Sequence, residues 1–185
     1  MNFKILPYEY EGSYYFISPF TGNLIESKKK ISTPNLNQKI KCAETCNNDP
    51  YKLTPLTYNS DIKISQKKIE KISYYNRILM GLGNGRFLLS CIYSRLRKPI
   101  FENTVLAFDY ISNVDIHEEK KGKICLQRTL LAAKTSKSFK KNGVLFIGAQ
   151  LPTGVMHAWI IEDKKQPDRR DREWIMYKPL LSITF

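Results

Sequence analysis

The sequence predicts an α+β fold, and the last third of the chain carries that prediction. Residues 124–140 have the composition of a helix with an apolar face. Three short β-prone runs follow at 144–149, 155–162 and 172–177, separated by turn residues, and 180–185 is a possible fourth strand. A helix followed by antiparallel strands is the pattern of an α+β unit.

The N-terminal region predicts a small β-hairpin. The run YYFI at 14–17 is β-prone, residues 19–22 supply turn chemistry, and residues 24–25 return as a second strand. Residues 3–6 could add a third strand to this hairpin. We therefore expect a two- or three-stranded antiparallel unit before residue 32.

The middle of the chain predicts helices joined by a polar stretch. Residues 32–61 are rich in Asn, Pro and Thr, and we expect a mobile surface segment with at most one short helix near 37–45. An amphipathic helix is predicted over 62–81 and a second helix over 87–97. Residues 101–110 fit either a helix or a strand.

The composition excludes several classes of protein. The chain has 185 residues, enough for one ordinary domain or two small ones, and 42% of them are hydrophobic, which excludes a wholly disordered chain. The net charge of +13 is spread over both halves, so a basic module that binds nucleic acid or an acidic peptide is an alternative without a supporting motif. We find neither a membrane-spanning run nor a signal peptide, and we expect a cytoplasmic location.

The cysteines and histidines do not predict a metal site. Cys42 and Cys46 form a C-x3-C pair, but no second pair has zinc-ligand spacing. The chain has only two histidines, His117 and His157, and a zinc site would have to recruit one of them from afar. We therefore expect reduced thiols and no metal.

Cys125, His157 and Asp171 form a candidate catalytic constellation. Cys125 falls at the start of a predicted helix, where unpaired N–H groups and the helix dipole favour a thiolate. His157 falls within a strand predicted to pack near that helix, and Asp171 at the start of the next one. A thiol becomes an effective nucleophile when an imidazole takes its proton and an acid orients that imidazole. The alternative is a buried cysteine with a hydrogen-bonded strand histidine.

Four motifs in a fixed order carry a resemblance to a known family. They are CLQRTL at 125–130, VLFIG at 144–148, HAWI at 157–160 and YKPLL at 177–181. This series resembles the leader peptidases of lasso-peptide maturation, the B proteins that process microcin-type precursors. These proteins belong to the transglutaminase-like, papain-related cysteine hydrolases. The resemblance covers about residues 120–185.

The resemblance implies a Cys-His-Asp triad with Cys125 as nucleophile and His157 as base. For the acid, both Asp168 and Asp171 are candidates. Asp171 is preferred because it lies 14 residues from His157, and an even separation lets two paired strands present both residues on one face. For either aspartate, the alternative is a solvated loop carboxylate paired with a neighbouring arginine.

Other residues of the motifs have less specific interpretations. Trp159 shares the face of His157 and is expected to wall the site, where it would contact substrate. Arg128 is expected to contact substrate or to orient a carboxylate, although a helix arginine more often lies at the surface. Tyr177 and Leu180 are expected in the core.

The resemblance also implies that the chain has two regions with different functions. Residues 1–80 would form a winged-helix-like leader-recognition module and residues 81–185 a transglutaminase-like peptidase domain. The leader peptide would add a strand to the N-terminal sheet near Tyr14, Tyr15 and Phe16. The alternative for this hairpin is a purely structural element packed on the peptidase.

The same resemblance implies the substrate and the partner. The peptidase would cleave a lasso precursor after a leader whose penultimate residue is Thr. An asparagine-synthetase-type cyclase would then use ATP to close the macrolactam, and the peptidase itself would need no cofactor. Acyl transfer, as in other transglutaminase relatives, is the alternative reaction.

Overall fold

The structure, a computed structural model, confirms the predicted α+β class. It describes residues 1–29, 64–82, 86–96, 99–113, 124–168, 171 and 174–185. The strands are β1 (Asn2–Ile5), β2 (Tyr8–Tyr10), β3 (Ser13–Ile17), β4 (Leu24–Ser27), β5 (Gly143–Gln150), β6 (Val155–Glu162) and β7 (Lys178–Thr184). The α-helices are α1 (Gln66–Leu82), α2 (Phe87–Arg95), α3 (Thr104–Asn113), α4 (Ile124–Thr135) and α5 (Phe139–Asn142), and a 3-10 turn spans Trp174–Met176.

Four strands form the main sheet in the order β1-β7-β5-β6, with antiparallel neighbours. β5 and β6 pair from Gly143 opposite Glu162 to Gln150 opposite Val155, which confirms the strands predicted at 144–149 and 155–162. The predicted fourth strand is β7, which pairs with β5. β6 therefore lies at one side of the sheet.

The strand predicted over 172–177 is wrong. Trp174–Met176 forms a 3-10 turn, and residues 172 and 173 lie outside the described part of the chain. The composition of this segment suits a strand, but β5 is already paired on both sides. The outer side of β6 contacts α4, since Thr129 Oγ1 donates to the Ala158 carbonyl at 3.0 Å. At this residue the outer edge of β6 is therefore occupied by α4 rather than by a further strand.

The N-terminal hairpin is confirmed, but its third strand differs from the prediction. β3 pairs with β4 as predicted, and the strand on the other side of β3 is β2. Residues 3–6 do not extend the hairpin, because β1 pairs with β7, from Asn2 opposite Thr184 to Ile5 opposite Leu181. The main sheet thus contains chain from both sides of the predicted boundary at residues 80 and 81.

The helices pack on the sheets through one shared core. α1 buries Ile72, Tyr75 and Leu79, which confirms the predicted amphipathic helix, and α2 confirms the second. The ambiguous segment 101–110 is largely helical, as α3. Ile17 of the hairpin belongs to the same buried cluster, so the described residues share a core across the predicted boundary.

The helix predicted over 124–140 is interrupted after Thr135. The backbone N–H groups of Lys137 and Ser138 donate to the carbonyls of Phe101 and Glu102, which replaces the helical bonds at that point. A short helix, α5, follows the break. The polar stretch 32–61 and its helix near 37–45 lie outside the described residues. Within the described parts, no helix combines the length and apolar character required to cross a bilayer.

Candidate active site

Cys125 lies in the first turn of α4, as its position in the sequence predicted. Burial by itself would raise the pKa of the thiol. The hydrogen bond with His157, the N–H groups of Ala158 and Leu126, and the positive charge of His157 outweigh burial, so the pKa of Cys125 lies below its ordinary value. The sulfur is therefore held in a setting that favours the thiolate, the nucleophilic form.

His157 lies on β6 and connects the thiol to a carboxylate. Its Nε2 atom is 2.7 Å from Oδ2 of Asp171, which leaves Nδ1 as the nitrogen available to Cys125. Burial opposes the charged imidazole, but the hydrogen bonds and charges of Asp171 and Cys125 raise the pKa of His157 to about 9. The arrangement favours a thiolate–imidazolium pair at neutral pH.

Asp171 reaches His157 for a reason other than the predicted one. The parity argument required Asp171 to begin a strand paired with that of His157, but Asp171 lies in irregular chain ahead of the 3-10 turn. Its carboxylate is positioned by its neighbours instead. Gln166 Nε2 donates to the same Oδ2 atom at 3.2 Å, and the Asp171 N–H donates to the carbonyl of Asp168.

Asp168, the alternative acid, is engaged elsewhere. Arg128 Nη2 lies 2.8 Å from its Oδ1 atom and 2.7 Å from its Oδ2 atom, and the Asp168 side chain is 8% exposed. Arg128 thus orients a carboxylate, one of the two roles its position predicted. The arginines considered as alternative partners, at 169, 170 and 172, lie outside the described residues.

Aromatic rings enclose the imidazole. The ring of Trp159 stacks on His157 with centroids 6.1 Å apart, in line with its expected place on the same face. Tyr177, expected in the core, is only partly buried and stacks on His157 at 4.9 Å. Its place in the YKPLL motif was the one signal of such a role. Gln166 had no comparable signal, because it sits in a polar loop without periodicity.

Gly148 makes room for this stack. It pairs directly with His157, at an irregularity in the β5–β7 register. A Cβ atom at this position would collide with the carbonyl oxygen of Lys178 and the ring of Trp159. The glycine of the VLFIG motif therefore has a steric reason to be where it is.

The predicted leader-contact residues lie in the other sheet. Tyr14, Tyr15 and Phe16 are on β3, which is the central strand of its sheet. Among the described residues, the outer strands of that sheet are β2 and β4. Because β3 is paired on both sides, a peptide that adds as a strand would have to pair with β2 or β4 and not with β3.

The described residues contain no group of His, Cys, Asp and Glu side chains arranged to hold a metal ion. Comparison of the chain with protein-family models, with curated proteins and with solved structures found no match.

Proposed function

We propose that this protein is a cysteine endopeptidase that removes the leader peptide from a ribosomally made lasso-type precursor. The observation that carries the proposal is the arrangement of Cys125, His157 and Asp171. A thiol with a lowered pKa contacts an imidazole, and that imidazole contacts a carboxylate at 2.7 Å. The order of the four motifs supports the substrate class, and the helix packed on an antiparallel sheet suits a transglutaminase-like peptidase.

The chemistry follows from the protonation states of the triad. Cys125 Sγ attacks the scissile carbonyl carbon, and we expect N–H groups of the first turn of α4, where Cys125 lies, to stabilise the oxyanion. His157 donates its proton to the leaving amine as the C–N bond breaks, which leaves a thioester on Cys125. His157 then takes a proton from water, the resulting hydroxide attacks the thioester carbon, and the C–S bond breaks. Cys125 leaves as the thiolate, His157 is again the imidazolium, and the leader departs with a C-terminal carboxylate.

The remaining parts of the proposal concern recognition and context. The small N-terminal sheet would take the leader as an added strand, in a winged-helix-like recognition module. The released core peptide has a free N-terminal amine. An ATP-dependent cyclase of the asparagine-synthetase type would join this amine to a side-chain carboxylate. The reaction would take place in the cytoplasm, where thiols stay reduced. The peptidase step needs no cofactor.

The test is cleavage of a lasso-type precursor peptide with and without an asparagine-synthetase-type cyclase, the precursor being taken from any short open reading frame that lies beside this gene. Cys125→Ala should abolish leader removal, because the nucleophile is lost. Cys91→Ala should retain it, because Cys91 is buried in the core and its pKa is raised to about 12. Undiminished cleavage by the Cys125→Ala protein would refute the proposal. A product whose mass shows a new amide rather than a free carboxylate would favour acyl transfer instead.

A further inference from the structure

One turn of α4 carries the nucleophile and contacts both the strand that carries His157 and the loop that carries Asp171. Cys125 is the nucleophile, Thr129 donates to the carbonyl of Ala158 on the strand that carries His157, and Arg128 pairs with Asp168. Residues three and four apart lie on the same side of a helix. A single rigid element therefore sets the position of the nucleophile relative to both the base and the loop that carries the acid.

The loop between β6 and the 3-10 turn is connected to Arg128 by a chain of bonds. Arg128 holds both carboxylate oxygens of Asp168, at 2.7 and 2.8 Å. The carbonyl of Asp168 accepts from the N–H of Asp171 at 3.2 Å, so one backbone hydrogen bond links the residue of the ion pair to the acid.

Gln166 ties the same loop together from inside. Its Oε1 atom accepts from the N–H of Asp168, and its Nε2 atom donates to Oδ2 of Asp171, both at 3.2 Å. Gln166 and Asp168 are both buried. Because the amide donates on one side and accepts on the other, it fixes the separation between the backbone at Asp168 and the carboxylate at Asp171.

Arg128 is itself held in place. The centre of its guanidinium lies 5.6 Å from the centroid of the Phe108 ring on α3, while its Nη2 atom contacts Asp168. A guanidinium held between an aromatic ring and a carboxylate loses much of its rotational freedom. This geometry suits a fixed anchor better than a side chain that reaches out to bind substrate.

We propose that Arg128, through Asp168, and Gln166, by direct contact, are positioning residues that hold Asp171 against His157. This inference rests on the proposed thiol chemistry. It replaces the expectation that Arg128 contacts substrate and assigns Asp168 to the anchor of the loop rather than to the triad. It also supplies a physical reason for the arginine and threonine of the CLQRTL motif.

The test measures the pH dependence of Cys125 alkylation by iodoacetamide, which needs no peptide substrate. In Arg128→Met, we expect the midpoint of the alkylation profile to move upward by about half to one pH unit, because the acid is less well placed. Gln166→Leu should move it in the same direction. Arg77→Met, at an exposed position of α1, is the matched control and should keep the wild-type profile. A wild-type profile in both Arg128→Met and Gln166→Leu would overturn the proposal.

A double-variant cycle separates positioning from general structural damage. If Arg128 acts through Asp171, adding Arg128→Met to Asp171→Asn should change the alkylation profile little further. Fully additive effects would overturn the proposal. Should Arg128→Met fail to fold by circular dichroism, Gln166→Leu and its own cycle with Asp171→Asn decide the question.

Leader cleavage provides a second readout. A positioning role predicts that Arg128→Met lowers kcat at least about tenfold with KM nearly unchanged, whereas a substrate contact predicts a raised KM and an unaltered alkylation profile. If no precursor is cleaved by the wild-type protein while the alkylation profiles shift as expected, the proposed function fails and the positioning inference stands.

Discussion

Replacing Asp171 with asparagine removes the charge that stabilises the His157 imidazolium and keeps the size of the side chain. The two side chains are 10% and 16% exposed, and their contact is 2.7 Å, so solvent screens the pair weakly. The pKa of His157 is about 9 against an ordinary 6.5. That difference corresponds to roughly 3 kcal/mol in favour of the imidazolium, shared between Asp171 and Cys125.

We expect Asp171→Asn to lower the pKa of His157 by about 1 to 3, the usual effect of one close carboxylate. If the pKa falls to about 7, the imidazolium fraction at pH 8 drops from about nine-tenths to about one-tenth. Cys125 then loses its positive neighbour, so its alkylation at neutral pH slows. The midpoint of its alkylation profile should move to higher pH.

Two measurements check this expectation. The ring protons of His157 are followed by NMR against pH in a His117→Gln background, where His157 is the one remaining histidine. Alkylation of Cys125 is followed by mass spectrometry. Asp163→Asn is the matched control, because Asp163 is exposed and its positive φ of 49° suits asparagine as well. A wild-type His157 that titrates near 6.5, or an unchanged titration in Asp171→Asn, would refute the electrostatic reasoning.

The contact between His157 and Asp171 also predicts how the stability of the protein depends on pH. The pKa of His157 in the folded protein is raised above its unfolded value, so its contribution is complete below about pH 6.5 and is lost as pH rises through about 9. The lowered pKa of Cys125 contributes with the opposite sign, so the contribution of His157 is measured in a Cys125→Ala background. Urea unfolding of Cys125→Ala should show a falling free energy of unfolding as the pH rises through the pKa of His157. Asp171→Asn in the same background should show a smaller fall, and an equal fall would contradict the role of the carboxylate.

Two further predictions concern the scaffold, each measured by urea denaturation. Gly148→Ala should lower the free energy of unfolding by about 1 to 3 kcal/mol, because the added methyl group has no space; Gly81→Ala, in open space on α1, should be neutral or stabilising. Lys134→Ala should lower the free energy of unfolding by about 2 to 4 kcal/mol, because the buried ammonium lies over two tyrosine rings and fills the core between helices. Lys137→Ala, at an exposed position, is the control and should change the free energy of unfolding by less than about 0.5 kcal/mol. Equal losses for the two lysine variants would contradict this interpretation.

Local sequence was sufficient for most of the elements. The β5–β6 hairpin, the β3–β4 hairpin and the amphipathic helix α1 all depend on side-chain periodicity and nearby turn residues, which act over a few positions of the chain. Cys125 at a helix start and His157 on a strand follow from the same local patterns.

Local sequence patterns could not predict which distant segments pair as strands. Residues 3–6 are β-prone wherever they pair, and nothing in their composition says that their partner is β7, at the other end of the chain. Likewise, the apolar composition of 172–177 suits a strand, but whether a strand forms depends on a free edge in the sheet. Both errors have the same cause: hydrogen-bond partners far apart in sequence decide the outcome.

Local residue patterns were enough to predict the α+β class, the main hairpins, a thiol at a helix start and an imidazole on a strand. Which aspartate contacts His157 depends on long-range contacts of the folded chain. Asp168 and Asp171 lie in one charged loop, and they are distinguished by Arg128 on α4, forty residues before Asp168, which holds Asp168 and leaves Asp171 to the imidazole. The chemistry of each residue and its local pattern can be read from the sequence, whereas the choice between two equivalent carboxylates depends on charges that folding brings together.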